Sequence, residues 1–410
     1  MRPVATTPVQ ASHPLTLLWA APHRAMFFVG AVALLTNMLW WTWVLLAGWR
    51  GWSMASYALP PAIAHGLLMQ YTTLAPFVLG FLLTVFPRWL ELPAVSRGIY
   101  VVVFGLTLCG GLLILAAQNG LPATLPFGLC AMLLGWLTAM TVLGRCLGRR
   151  SGDMWAVSSM AALAFGGLGL ALALLYALGG GPTVLRAAVD IGTFGLLLPI
   201  YFTVAHRMVP FFSSNVITGY RVVRPAWSLW CLWALSLAHL AIELCDGARW
   251  RWLADLPLTG VLLWQWLAWQ PWKARKPGLL AVLYIALAWL PLSIGLFAAE
   301  SLSMFLTHAG AWARAPLHAL TIGFFSSMLV AMVTRVTHGH SGRPLAMGVV
   351  PWFAFVGIQI IAVVRVLADT ASQPWPWYLL AATLWLLALA PWVARSLWIY
   401  LTPRHDGKPG

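Results

Sequence analysis

Long apolar runs alternate with short breaks rich in Pro, Gly and basic residues twelve times along the chain. The runs fall at about 24–47, 61–87, 99–118, 122–147, 154–178, 182–206, 226–246, 252–272, 278–301, 315–337, 347–368 and 376–401. Each is long enough to cross a hydrocarbon core of roughly 30 Å as a helix. A segment exposed to lipid must satisfy its backbone internally, so runs of this length are read as α-helices. The pattern predicts an all-α fold, a polytopic transmembrane helix bundle of about twelve spans. Residues 23–402 form its single membrane domain, between polar tails at 1–22 and 403–410. Pro76, Gly80, Pro199 and Gly323 fall inside spans, where membrane helices tolerate them. Residues 1–22 show no apolar core followed by a small-residue cleavage site, so the first span is expected to act as the insertion signal.

Composition agrees with the pattern: 61% of the 410 residues are hydrophobic and only 8% charged, which leaves no soluble domain of any size. The net charge of +15 sits in short loops, where basic residues set topology rather than bind nucleic acid. With the N-terminus placed in the cytoplasm, six of the 24 basic residues (Arg50, Arg186, Arg249, Arg251, Arg314 and Arg365) lie outside. The remaining 24 − 6 = 18 lie inside, so both termini are expected in the cytoplasm. The five cysteines form no C-x-x-C pair and read as structural. No internal repeat or Gly-rich phosphate loop stands out.

The histidines sort into two layers. His65 and His318 lie at the outer side, each within one turn of a helix that opens with a proline, Pro61 or Pro316. His308 and His239 share that side. His23, His206, His338 and His340 lie at the inner side. At 1.5 Å per residue, His318 and His340 are about 33 Å apart on one helix, so they belong to different sites. Ionisable side chains within a membrane are functional candidates because hydrocarbon offers them no partner. Two imidazoles facing each other from different helices suit the axial positions of a haem iron, and His65 and His318 are the candidates. Hydrogen bonding to neighbouring helices is the competing reading. The inner four are candidates for copper, iron, zinc or nickel, among which imidazole alone does not choose.

Arginines stand beside the inner histidines, and Arg207 and Arg335 are candidate contacts for haem propionates. Asp190, Glu243 and Glu300 are carboxylates in apolar spans, all toward the outer face, and form a candidate proton relay. Tryptophan-rich runs such as LWWTWVLLAGWRGW read as interfacial belts, and Met69 as core.

Three blocks carry a family resemblance: HGLLMQYTTLAPFVLGFLLTVFPRW (65–89), RMVPFFSSNV (207–216) and LHALTIGFFSSMLVAMVTRVTHGHSGRP (317–344). With them the chain resembles the NnrS family over essentially its whole length. The resemblance implies a twelve-span bundle of a bacterial inner membrane, linked to denitrification and nitrosative stress, that carries haem, expected to be of b type, and copper. It places His65 at the first histidine of a W-H-A-H-E-M-like block, His318 at that of L-H-A and His340 at that of G-H-T-G. The chain departs from the pattern at Leu67 and Leu68, where the family block has His and Glu, and at PHRAMFF (22–28). His23 and His206 would then supply a replacement inner site.

Three functions follow as expectations. The first is a haem and copper membrane protein that binds nitric oxide and turns it over as a reductase, or protects metal centres from it. The second is an electron carrier between the two layers, served by a membrane electron donor. The third is a transporter of metal or a small solute. The charge count makes its own prediction: a reporter fused to the C-terminus will be active only on the cytoplasmic side, and activity restricted to the periplasm would overturn the orientation.

Overall fold

The computed structural model describes residues 14–53 and 56–406, and its regular elements are all helical. Arg2, Lys408 and the far ends of both tails, which entered the charge count, lie outside the described residues. After a short turn at Pro14–Leu18, twelve long helices follow. They are α1 (Pro22–Arg50), α2 (Pro61–Trp89), α3 (Arg97–Ala117), α4 (Pro122–Arg149), α5 (Met154–Ala177) and α6 (Pro182–Ser214). The second half comprises α7 (Ala226–Leu244), α8 (Trp252–Ala268), α9 (Gly278–Thr307), α10 (Ala315–His340), α11 (Val349–Ala368) and α12 (Trp375–Tyr400).

Eleven of these are long and apolar enough to cross a membrane, one fewer than the pattern predicted. The exception is α8, whose 17 residues span about 25 Å. It was expected to run to residue 272, but Gln270 takes a left-handed conformation (φ 60°) and Pro271 follows, which stops the helix. The side chain of Trp269 folds back instead, its Nε1 donating to the Val223 carbonyl at 2.6 Å. α8 nonetheless packs along both α7 and α9, as a crossing helix would.

The packing order repeats every four helices. α1 lies on α2, α5 on α6 and α9 on α10, while α3 pairs with α4, α7 with α8 and α11 with α12. Successive units join through α4 and α5 and through α8 and α9, and α12 returns to α1, closing a ring of three four-helix units. The second helix of each unit is innermost: the core windows of α2, α6 and α10 are 78%, 78% and 72% buried, against 28–61% for the other eight helices that qualify as spans.

Each of these inner helices, and no other among the described residues, contains a π-helical stretch: Leu68–Leu74, Ile191–Leu197 and Ala319–Ser326. Hydrogen bonds reach back five residues there, as from Leu198 N–H to the Thr193 carbonyl. Such a stretch leaves carbonyls exposed inside hydrocarbon, and neighbours satisfy them. Ser236 of α7 donates to the Phe194 carbonyl at 2.7 Å, and Asn37 of α1 reaches Thr72 and Thr73 at 2.7 and 2.8 Å. Between α2 and α6, Gln70 Nε2 donates to the Val189 carbonyl (2.9 Å) and to Thr193 (2.8 Å).

Close approach of the inner helices depends on glycine. A Cβ at Gly323, in the π stretch of α10, would lie 2.5 Å from the ring of Trp289. That ring is pinned by its Nε1 hydrogen bond to Gln359 at 2.7 Å and has little room to yield. Gly323→Val is therefore expected to destabilise the protein by about 1–3 kcal/mol through overpacking, read as a lower thermal unfolding midpoint in detergent.

Candidate functional site

The outer ends of α2 and α10 bring His65 and His318 within electrostatic reach of each other. Both side chains are half-buried. His318 Nδ1 donates to the Arg314 carbonyl one turn earlier, at 3.0 Å. That bond fixes the neutral tautomer and leaves the Nε2 lone pair free, the arrangement a metal-ligating histidine requires. His65 is stacked flat on Trp41 of α1, with ring centres 4.4 Å apart and planes within 10°. Its Nδ1 is buried without a hydrogen-bond partner.

Arg314 and Arg365 lie within electrostatic reach of both imidazoles. Arg365 is held by Asp369 at 2.8 Å and lies 4.2 Å from the centre of the Tyr378 ring, while Asp369 also accepts from the Arg314 backbone and the Tyr378 hydroxyl. These are the cations positioned beside the pair. Arg207 and Arg335, the expected propionate contacts, sit elsewhere. Seventeen residues separate His318 from Arg335, about 25 Å along α10. Arg207 is bound to Asp153 between Trp89 and Trp155, and Arg335 lies over Phe212 at 3.7 Å.

The expected convergence of four inner imidazoles reduces to a pair. His23 of α1 and His340 of α10 have ring centres 4.3 Å apart, and the Thr84 hydroxyl accepts the His23 backbone N–H at 3.1 Å. His206 is committed at both nitrogens: Trp155 Nε1 donates to its Nδ1 (3.0 Å), and its Nε2 bonds Ser228 (3.1 Å). His338 accepts from Arg395 at Nε2 (3.0 Å). Among the described residues no three His, Cys, Asp or Glu side chains converge as a metal-binding group.

The three outer carboxylates do not form one file. Glu243 pairs with Arg251 at 3.2 Å, and Glu300 accepts the backbone N–H groups of Ala311 and Trp312, closing the loop before α10. Asp190 is partly buried near the start of α6, with His239 and Glu243 in electrostatic reach. It also occupies the place in its unit that His318 occupies in its own. Arg186-Ala-x-x-Asp190-x-x-Thr193-x-Gly195 matches Arg314-Ala-x-x-His318-x-x-Thr321-x-Gly323. One feature was not anticipated: His239 Nδ1 meets Asp255 at 2.6 Å with side chains 1% and 0% exposed. An aspartate one turn into the apolar run of α8 was the available signal.

Between the inner halves of α2, α6 and α10 lies a cavity of about 70 Å³, lined by apolar chains including Phe27, Phe81, Val204 and Val333. Phe27, one turn along α1 from His23, separates it from the inner pair.

No curated protein matches the chain. The family described as NnrS protein matches residues 17–404, nearly its whole length. The protein thus belongs to the NnrS family, multi-pass membrane proteins of the nitric oxide response.

Proposed function

We propose that this protein holds a haem between His65 and His318 at its outer layer and binds nitric oxide there, in a bacterial inner membrane. The observation that carries the reading is the tautomer of His318, whose Nδ1 is consumed by the Arg314 carbonyl so that Nε2 is bare. The unpartnered Nδ1 of His65 and the flat support of Trp41 are consistent with a second ligand waiting in a fixed orientation. Arg314 and Arg365 would meet the propionates of a b-type haem, and Asp369 and Tyr378 hold them in place. A haem iron supplies binding of diatomic gases and one-electron chemistry.

His23 and His340 are the residues that would hold copper. Two neighbouring imidazoles suit that metal, although among the described residues no third His, Cys, Asp or Glu joins them. Reduction of nitric oxide to nitrous oxide and water takes up one proton and one electron per molecule of gas. The electrons would come from a membrane electron donor, and Asp190 is the carboxylate placed to hold a proton at the outer end.

The electron-carrier reading is favoured by one observation. A single helix, α10, carries both His318 and His340, linking an outer centre to an inner one. The transporter reading gains no such support: the cavity between α2, α6 and α10 is lined almost wholly by apolar side chains and none of its lining residues is charged.

Reduced-minus-oxidised spectra of the purified protein test the haem assignment. His65→Ala and His318→Ala are each expected to lose the haem signal, and the wild type to shift with nitric oxide. An unchanged spectrum in both variants would overturn it. A wild-type haem that ignores nitric oxide would favour electron transfer. Asp190→Asn is expected to keep the haem spectrum and slow nitric oxide consumption about tenfold or more, in the range of a lost proton donor; consumption at the wild-type rate would remove Asp190 from proton delivery.

A further inference from the structure

The inner ends of α1, α10 and α12 gather more positive charge than the topology rule explains. Positive-inside residues are ordinarily solvated, and their number needs no partner. Here the guanidinium of Arg24 is drawn into protein, with 3% of the residue exposed. Its Nη1 donates to the carbonyls of Leu17 (3.2 Å), Tyr400 (3.4 Å) and Thr402 (3.2 Å), stitching α1 to the end of α12. Its Nη2 is buried with no acceptor.

Arg343, just beyond α10, stands in electrostatic reach of Arg24 and repeats the pattern: its Nη1 is also buried with no acceptor. It lies over Trp398 of α12 at 5.1 Å, and burial together with the nearby Arg395 pushes its guanidinium below its ordinary pKa. Arg395 spends its own Nη1 on the neutral nitrogen of His338. The carboxylate in this region, Asp406, is gripped through both oxygens by Arg404 at 2.9 and 2.8 Å. Among the described residues Arg24, Arg343 and Arg395 therefore have no carboxylate partner.

A buried guanidinium N–H without an acceptor costs free energy comparable to a lost charged hydrogen bond, and two of them beside each other add like-charge repulsion. An acceptor bearing negative charge removes both penalties. The forked donors of arginine match the oxygens of phosphate and carboxylate in particular.

We propose that this inner mouth is a binding site for an oxyanion, a phosphate group carried by a lipid headgroup of the adjoining leaflet or free in solution, with Arg24 and Arg343 as its donors. The site is separate from the outer histidines and does not depend on the haem reading. The indole of Trp398 beside Arg343 suits either source, since it lies against the guanidinium face and leaves the in-plane N–H donors for the anion.

The test uses delipidated, purified full-length protein in a non-ionic detergent and follows thermal unfolding. One arm adds inorganic phosphate against chloride at equal ionic strength, and a second adds dioleoyl phosphatidylglycerol against dioleoyl phosphatidylcholine. A ligand that binds only the folded state raises the midpoint, by several degrees when it is well above its Kd. A rise with phosphate identifies a free anion, and a rise only with phosphatidylglycerol identifies a headgroup. In either case Arg343→Gln is expected to lose at least half of the rise. Arg24→Lys, which keeps the charge but not the fork, should do the same where it folds. Arg149→Gln, an exposed basic residue at the inner end of α4, should keep the full rise. No rise in either arm, or an equal rise in wild type and Arg343→Gln, would overturn the proposal.

Discussion

Lipid offers no hydrogen-bond partner, and this constraint organises the molecule more than any single contact. A polar side chain or an unpaired carbonyl in the hydrocarbon must be answered from within the protein. The ring of three units answers it by turning polar groups toward the innermost helices. Asn37, Gln70, Thr193 and Ser236 all bond to, or across, the π-helical stretches of α2 and α6. The outer helices can then be plain apolar surfaces. Side chains such as Phe127 (69% exposed) and Val349 (86%) face outward, as an apolar lipid-facing surface allows.

The same arrangement decides where chemistry can sit. The first turns of the inner helices lie at one end of the bundle, and there the three units present His65, Asp190 and His318. Deeper in, α2, α6 and α10 enclose a cavity lined almost wholly by apolar side chains. The haem proposed above, with its flat face, polar edges and iron that needs imidazole, would suit the first environment and not the second. At the other end, Arg24 ties the last unit back to the first, so the closure of the ring and the inner cationic mouth are built from the same residue.

Much of this was legible in the sequence. Twelve apolar runs gave twelve helices, and the two histidine layers follow from which end of each run carries the imidazole. The threefold organisation was not legible, because the units have diverged: Asp190 stands opposite His318, and only the Arg-Ala and Thr-x-Gly positions around them survive in both. The inner quartet failed for a physical reason that sequence spacing cannot show. His206 and His338 are claimed by Trp155, Ser228 and Arg395, which arrive from other helices. Likewise Arg207 belongs to Asp153, a partner 54 residues away in sequence, while Arg365, an ordinary outer-loop charge by the topology count, comes to stand beside the outer imidazoles.

One helix joins the two layers, and its irregularity has a purpose within the ring. His318 and His340 are 22 residues apart, just over six turns of a uniform α-helix, which would set them on nearly the same face. Their neighbours are not on the same side, since His318 addresses His65 of α2 and His340 addresses His23 of α1. The eight residues of Ala319–Ser326 wind as a π-helix and turn more slowly per residue, so the inner half of α10 is rotated relative to the outer half. The π stretch thereby lets one straight helix present a histidine to α2 at one end and to α1 at the other. Its freed carbonyl at Thr321 is satisfied by Ser326 five residues on, at 2.8 Å, so the rotation leaves that polar group paired in the bundle.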